Sequence, residues 1–140
     1  MKTLQALKNQ RGMTLLEIII VVTIIAALAA VLGTTVSTQR RKASVKQAKI
    51  QMAELSKAIE MYFTDCNSYP PDLGALSDSA GGSCPNWGPE PYIKNKNQLN
   101  DPWGTPFGYY LENGQFTIVS YGEDKKEGGT SYAKDLTSND

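Results

Sequence analysis

Between Met13 and Gly33 the chain is almost wholly apolar, yet it carries one carboxylate, Glu17, close to its start. A helix over this run rises about 1.5 Å per residue and so spans roughly 30 Å, the thickness of a bilayer's hydrocarbon core. The run is long enough to cross a membrane, and whatever folds after it is tethered. A charge at membrane depth costs about 2.5 to 3.5 kcal/mol on insertion scales, so Glu17 needs a compensating partner and stands out as a functional residue.

Three readings of the run compete. In the first it is a secretory signal, with Lys2, Lys8 and Arg11 ahead of the apolar stretch and Ala27-Leu28-Ala29 as the cleavage site. Glu17 fits such a signal poorly, and cleavage after Ala29 would cut through a continuous helical pattern. In the second the run is a plain single-span anchor whose Glu17 reaches back to the interface. In the third, Gly12-Met13 is a processing site ahead of the apolar run, on its cytoplasmic side.

The third reading rests on a short basic leader ending in Arg11-Gly12, then Met13-Thr14-Leu15-Leu16-Glu17, then the aliphatic stretch Ile18 to Leu32. This arrangement resembles the type IV pilin and pseudopilin family. The resemblance implies that a dedicated membrane peptidase, the prepilin peptidase, cuts after Gly12 and methylates the new amino terminus at Met13. It also makes Glu17 the fifth residue of the mature chain and an assembly residue. Met13 departs from the phenylalanine usual at that position.

The length of 140 residues suits one anchored chain with one small domain. The formal charge is zero, but loss of Lys2, Lys8 and Arg11 takes 14 basic residues to 11 against 14 acidic, a net charge of −3. Nothing in this balance suits a nucleic-acid partner. Arg40, Arg41, Lys42, Lys46 and Lys49 follow the span, so the positive-inside rule is met only weakly and the leader motif decides the orientation.

Beyond Gly33 no Pro or Gly occurs until Pro70, and Val45, Ala48, Met52, Leu55, Ile59 and Tyr62 recur at spacings of three and four. The expectation is one helix from about Met13 to Phe63: a membrane segment over 13–33, loosened by Thr34-Thr35, then an amphipathic continuation over 34–64. The cations from Arg40 to Lys49 read either as a solvated helix face or as partners for acidic groups of neighbouring subunits.

At Asp65 the composition shifts to Asn67, Pro70, Pro71, Gly74, Gly81, Gly82, Pro85, Gly88, Pro89 and Pro91, a loop with one helical turn near Asp72 to Leu76. Cys66 and Cys84 bracket most of it. A bridge between them would restrain the unfolded chain by about 3 kcal/mol; the alternative is two free thiols. Zinc is disfavoured because the chain has no histidine and two cysteines. Tyr109 to Glu112 and Gln115 to Tyr121 flank Asn113-Gly114, a strong hairpin signal because both positions tolerate φ > 0. A hairpin needs a partner face, and the apolar stripe of the long helix supplies one. The expected fold class is therefore α+β, a long N-terminal helix packed on a small C-terminal antiparallel sheet within 65–140.

Tyr69-Pro70, Asp101-Pro102-Trp103-Gly104-Thr105-Pro106-Phe107, Ser120-Tyr121-Gly122-Glu123-Asp124 and Gly128-Gly129 narrow the resemblance to the major pseudopilins of type II secretion systems. It implies a pilin-like fold, a single pass through the bacterial inner membrane with the C-terminal domain in the periplasm, and homo-oligomerisation into a helical filament that drives protein secretion. Minor pseudopilins and an inner-membrane assembly platform are the implied further partners. It also implies a calcium ion in the tail, held by the Asp124 carboxylate, the Tyr121 carbonyl and Asp135, with Lys125 and Lys126 opposing it by their charge. The cysteine pair and the insert Ser77 to Trp87 are not usual there, and the acidic tail matches in part, which keeps a type IV pilin of a surface pilus as the alternative.

Catalysis is not indicated. Without histidine there is no imidazole base, and neither a phosphate-cradling Gly-x-x-x-x-Gly-Lys motif nor paired carboxylates in a recognisable setting occur. Trp87, Trp103, Tyr109 and Tyr110 read as core and turn packing rather than as a ligand-stacking platform.

Overall fold

The structure, a computed structural model, describes residues 12–78 and 84–140; the leader up to Arg11 and residues 79–83 of the expected insert lie outside the described residues. Helix α1 spans Leu15–Cys66. Its start follows from Thr14, whose Oγ1 accepts the Glu17 amide at 3.3 Å and whose carbonyl accepts the Ile18 amide at 3.2 Å. A threonine in this role satisfies amides that have no partner within the helix. At the other end Asn67 turns left-handed at φ 51°, and its amide closes on the Phe63 carbonyl at 2.8 Å. Such a stop, followed by Pro70 and Pro71, ends a helix firmly. Helical structure continues through Thr34 and Thr35, where the sequence suggests loosening; the Thr35 hydroxyl bonds back to the Val31 carbonyl instead of competing for the backbone elsewhere.

The chain divides into two compact units, one ending at Thr38 and one running from Gln39 to Asp140. In the first, every described side chain from Gly12 to Gly33 is exposed, and α1 is long and apolar enough to cross a membrane. The Thr23 hydroxyl is satisfied by the Ile19 carbonyl at 2.7 Å, so it adds no unpaired polar group to an apolar setting.

In the second unit Ala48, Met52, Leu55, Ile59 and Tyr62 form the buried stripe of α1, with Val45 packed at its edge. The opposing layer is a three-stranded antiparallel sheet in the order β1 (Gly108–Glu112), β2 (Gln115–Ser120), β3 (Leu136–Thr137). Asn113 and Gly114, at φ 51° and 75°, join β1 to β2 in the two-residue loop whose twist matches that of the strands. The register pairs Tyr109 with Ile118 and Leu111 with Phe116, one face of the hairpin; Tyr109, Phe116 and Ile118 join the core, while Leu111, near the turn, stays exposed. Ile118 is completely buried. Full burial of an aliphatic side chain of this size contributes about 1.5 to 3 kcal/mol. Strand β3 pairs with the end of β2 at Val119 and Ser120.

The long connection is held at several points. Asp72 caps the 3-10 turn Leu73–Leu76 by accepting the Ala75 amide, and Cys66 is disulfide-bonded to Cys84. Trp87 Nε1 donates to the Ala75 carbonyl at 3.0 Å, and the Tyr92 ring meets Tyr62 and Trp87 edge-on at 5.6 Å each. Trp87, Trp103 and Tyr109 pack against the core, whereas Tyr110 is half exposed.

Candidate functional sites at the helix start and the tail loop

The first site is the start of α1. Gly12 is exposed, and a side chain added there would meet nothing within 4 Å among the described residues. Glu17 lies in the first helical turn. A carboxylate at that position faces the positive end of the helix dipole. Thr14-Leu15-Leu16-Glu17 has the spacing of a capping box, a helix-start signal readable in the sequence.

The second site is the loop between β2 and β3. Its neck closes where the Glu123 amide donates to the Tyr132 carbonyl at 3.3 Å. Gly122 and Gly129 permit the closure, since both have positive φ. A side chain on Gly122 would sit 3.1 Å from the carbonyl oxygens of Tyr132 and Lys134, and one on Gly129 would collide with the Ala133 carbonyl. Asp135 Oδ2 accepts the Gly128 amide at 2.8 Å. Its second oxygen, Oδ1, is buried with no hydrogen-bond donor. Asp124 Oδ1 accepts the Lys126 amide at 3.2 Å, with Lys125 left-handed between them at φ 60°.

At the loop's entry the Tyr121 and Tyr110 hydroxyls share a hydrogen bond of 2.7 Å. That bond, burial, and the charges of Tyr110, Glu127 and Asp135 push the Tyr121 phenol up to about 12. Beneath the entry lies Asp101, which is buried. Its Oδ1 accepts the amides of Trp103 and Thr105, and its Oδ2 accepts the Ser120 hydroxyl. Ser120 Oγ in turn accepts the Gly122 amide at 3.4 Å. The aromatic turn before the hairpin and the root of the tail loop thus share one buried carboxylate.

The oxygen chemistry of the loop suits a hard cation. Calcium takes six to eight oxygens, many of them carbonyls, and a buried carboxylate oxygen without a donor is otherwise costly. Among the described residues no three His, Cys, Asp or Glu side chains gather as a metal cluster, so a cation here would draw mainly on backbone oxygens around Asp135.

Comparison with known proteins agrees with this geometry. Residues 7–33 match the prokaryotic N-terminal methylation motif, and residues 35–139 match the family model of type II secretion system (T2SS) protein G. The type II secretion system core protein G of Xanthomonas campestris pv. campestris is 38% identical over 130 residues, covering 91% of this chain and 89% of its own. That of Pseudomonas aeruginosa is 34% identical over 136 residues, covering 92% and 94%. The crystal structure of the major pseudopilin from the type 2 secretion system of enterohaemorrhagic Escherichia coli superposes with a TM-score of 0.58 at 22% identity, over 72% of this chain and 90% of that one. A membrane-anchored helix with a small antiparallel sheet packed on its second half is thus the class of fold. The chain belongs to the type II secretion system protein G family.

Proposed function

We propose that this chain is the major structural subunit of a periplasmic pseudopilus that drives type II protein secretion. What supports this most directly is that the segment Gly12 to Gly33, fully exposed in the isolated chain, offers an apolar surface that must be covered by lipid before assembly and by other copies after it. The alternative of a surface type IV pilin is disfavoured, because the matched family model over 35–139 is that of a secretion-system protein.

In this reading the prepilin peptidase cuts between Gly12 and Met13 and methylates Met13. The chain is held in the inner membrane with its C-terminal domain in the periplasm, and minor pseudopilins and the assembly platform are its further partners. Glu17 pairs with the Met13 amino terminus of an adjacent copy, since burial in a filament leaves each charge in need of the other. The subunit's role is mechanical rather than catalytic. Intact-mass measurement of the chain from membranes is the test: a start at Met13 carrying one methyl group is expected, and a start at Met1 or near Ala30 overturns the reading.

Calcium is a further part of the proposal. Asp135 Oδ1 would be its buried ligand, with the Asp124 carboxylate, the Tyr121 carbonyl and further backbone oxygens of the loop making up the rest; the ion would supply a charge that draws the two ends of the loop together. Raised thermal stability of the full chain in detergent with calcium, little rescue by magnesium, and loss of the effect in Asp135→Asn are expected. An unchanged midpoint at saturating calcium leaves a loop closed by hydrogen bonds alone.

A further inference from the structure

Arg41 lies on α1, in the same compact unit as the tail loop and far from it in sequence. Its Nε is 3.1 Å from Glu123 Oε1, and its guanidinium carbon lies 5.9 Å from the centroid of the Tyr132 ring. Glu123 and Tyr132 are the two residues joined across the loop's neck by the Glu123 amide and the Tyr132 carbonyl. One helix side chain therefore grips both sides of the neck, the carboxylate through a charge-assisted hydrogen bond and the ring through its negative face.

We propose that Arg41 is the positioning residue of the 121–135 loop, holding its neck shut from the helix and so setting how readily the loop binds a cation. Glu123 pairs with Arg41, while Asp135 keeps a buried oxygen with no donor. The guanidinium is suited to the task because its Nε bonds Glu123 while its spread charge lies within cation–π range of Tyr132, a combination that the compact, strongly hydrated charge of a lysine reproduces poorly. The part of the inference that concerns a cation rests on the calcium proposal above; the part that concerns the neck does not.

Amide hydrogen exchange at Glu123, on the full chain in detergent micelles, separates the two. Partly exposed ion pairs and cation–π contacts together imply that Arg41→Ala speeds exchange at Glu123 by roughly three- to tenfold in the presence of chelator. Arg41→Lys should give an intermediate value. Lys94→Ala, which breaks the exposed pair with Glu90, should leave Glu123 unchanged. Glu123→Gln should add little to Arg41→Ala, because both remove the same bond. Unchanged exchange in Arg41→Ala overturns the clamp whether or not calcium binds. If wild-type protein shows calcium protection, Arg41→Ala should need about three times more calcium to reach it; equal or tighter calcium binding by Arg41→Ala overturns the cation part. Absence of calcium protection in wild type overturns the calcium proposal and, with it, the cation part, while the chelator experiment still decides the neck.

Discussion

The Ser120 hydroxyl donates to Asp101 Oδ2 at 2.7 Å in a setting where both residues are buried. Asp101 stands in a turn and Ser120 at the end of β2, and this bond is what brings the aromatic turn under the root of the tail loop. Asp101→Ala should strand the Trp103 and Thr105 amides and the Ser120 hydroxyl together. The expected cost is about 2 to 4 kcal/mol, read from denaturant unfolding of the full chain in detergent. Asp101→Asn retains one acceptor and should cost less. A loss below about 0.5 kcal/mol in Asp101→Ala would show that the amides find other partners.

Opening the Cys66–Cys84 bridge should also destabilise the second unit. The two cysteines are 18 residues apart, and a closed loop of that size corresponds to about 3 kcal/mol in the chain-entropy description. Cys66→Ser with Cys84→Ser should therefore lower the midpoint. Trp87 fluorescence should report the change early, because its indole bonds the Ala75 carbonyl inside the bridged loop. Two alkylatable thiols in protein isolated under thiol-blocking conditions would contradict the bridge itself.

At high pH the Tyr110–Tyr121 pair sets a limit. The Tyr121 phenol is held protonated up to about 12 against an ordinary value of 10.0, so between those two values the unfolded chain releases a proton that the folded chain retains. Stability is thus intact below pH 10 and falls as pH rises toward 12. Tyr92, through burial and its bond to Asp65, and Tyr109, through burial, are shifted in the same direction. Absorbance of tyrosinate should show a late-titrating group that disappears in Tyr121→Phe, and alkaline unfolding of that variant should begin less steeply. A normal titration of every tyrosine would refute the coupling.

The proposed assembly role of Glu17 can be separated from its place in the first turn of the helix, where Thr14 accepts its amide. Thr14→Ala removes the acceptor of the Glu17 amide and should weaken the helix start by about 1 kcal/mol while leaving filament yield near normal. Glu17→Gln keeps the spacing but loses the charge, and should reduce filament yield severely without affecting membrane insertion. If Thr14→Ala and Glu17→Gln reduce yield equally, the role of Glu17 is capping, and the proposed pairing with a neighbour's amino terminus fails.

Periodicity made the architecture legible wherever one element repeats a pattern. The stripe from Val45 to Tyr62 and the Asn113-Gly114 turn both appear where the residues place them. Strand β3 was not foreseen, because Leu136–Thr137 is two residues long and carries no alternation to read. The tail-loop contacts were hidden for a different reason. Arg41 and Glu123 are separated by 82 residues, and Arg41 sits in a run of cations that reads as solvated face. Only the fold shows that this one cation turns toward the loop. Asp101 read as turn chemistry, and its capture of Ser120 needed the hairpin's actual placement. Asp124 and Asp135 were named from resemblance, but the buried free oxygen that marks Asp135 is a product of the loop's closure on Gly122 and Gly129.

Strand β3 has a consequence for how such a chain matures. Leu136 completes a core begun by Ala48 and Met52, so the contact that seals the domain joins segments most of the chain apart. Contacts of that separation form late, because the intervening chain must first be ordered. Until residues 136–137 have emerged and folded back, the amphipathic helix therefore has an open apolar flank. Any delay in docking residues 136–137 prolongs the period in which that flank is available to a chaperone or to another unfinished chain.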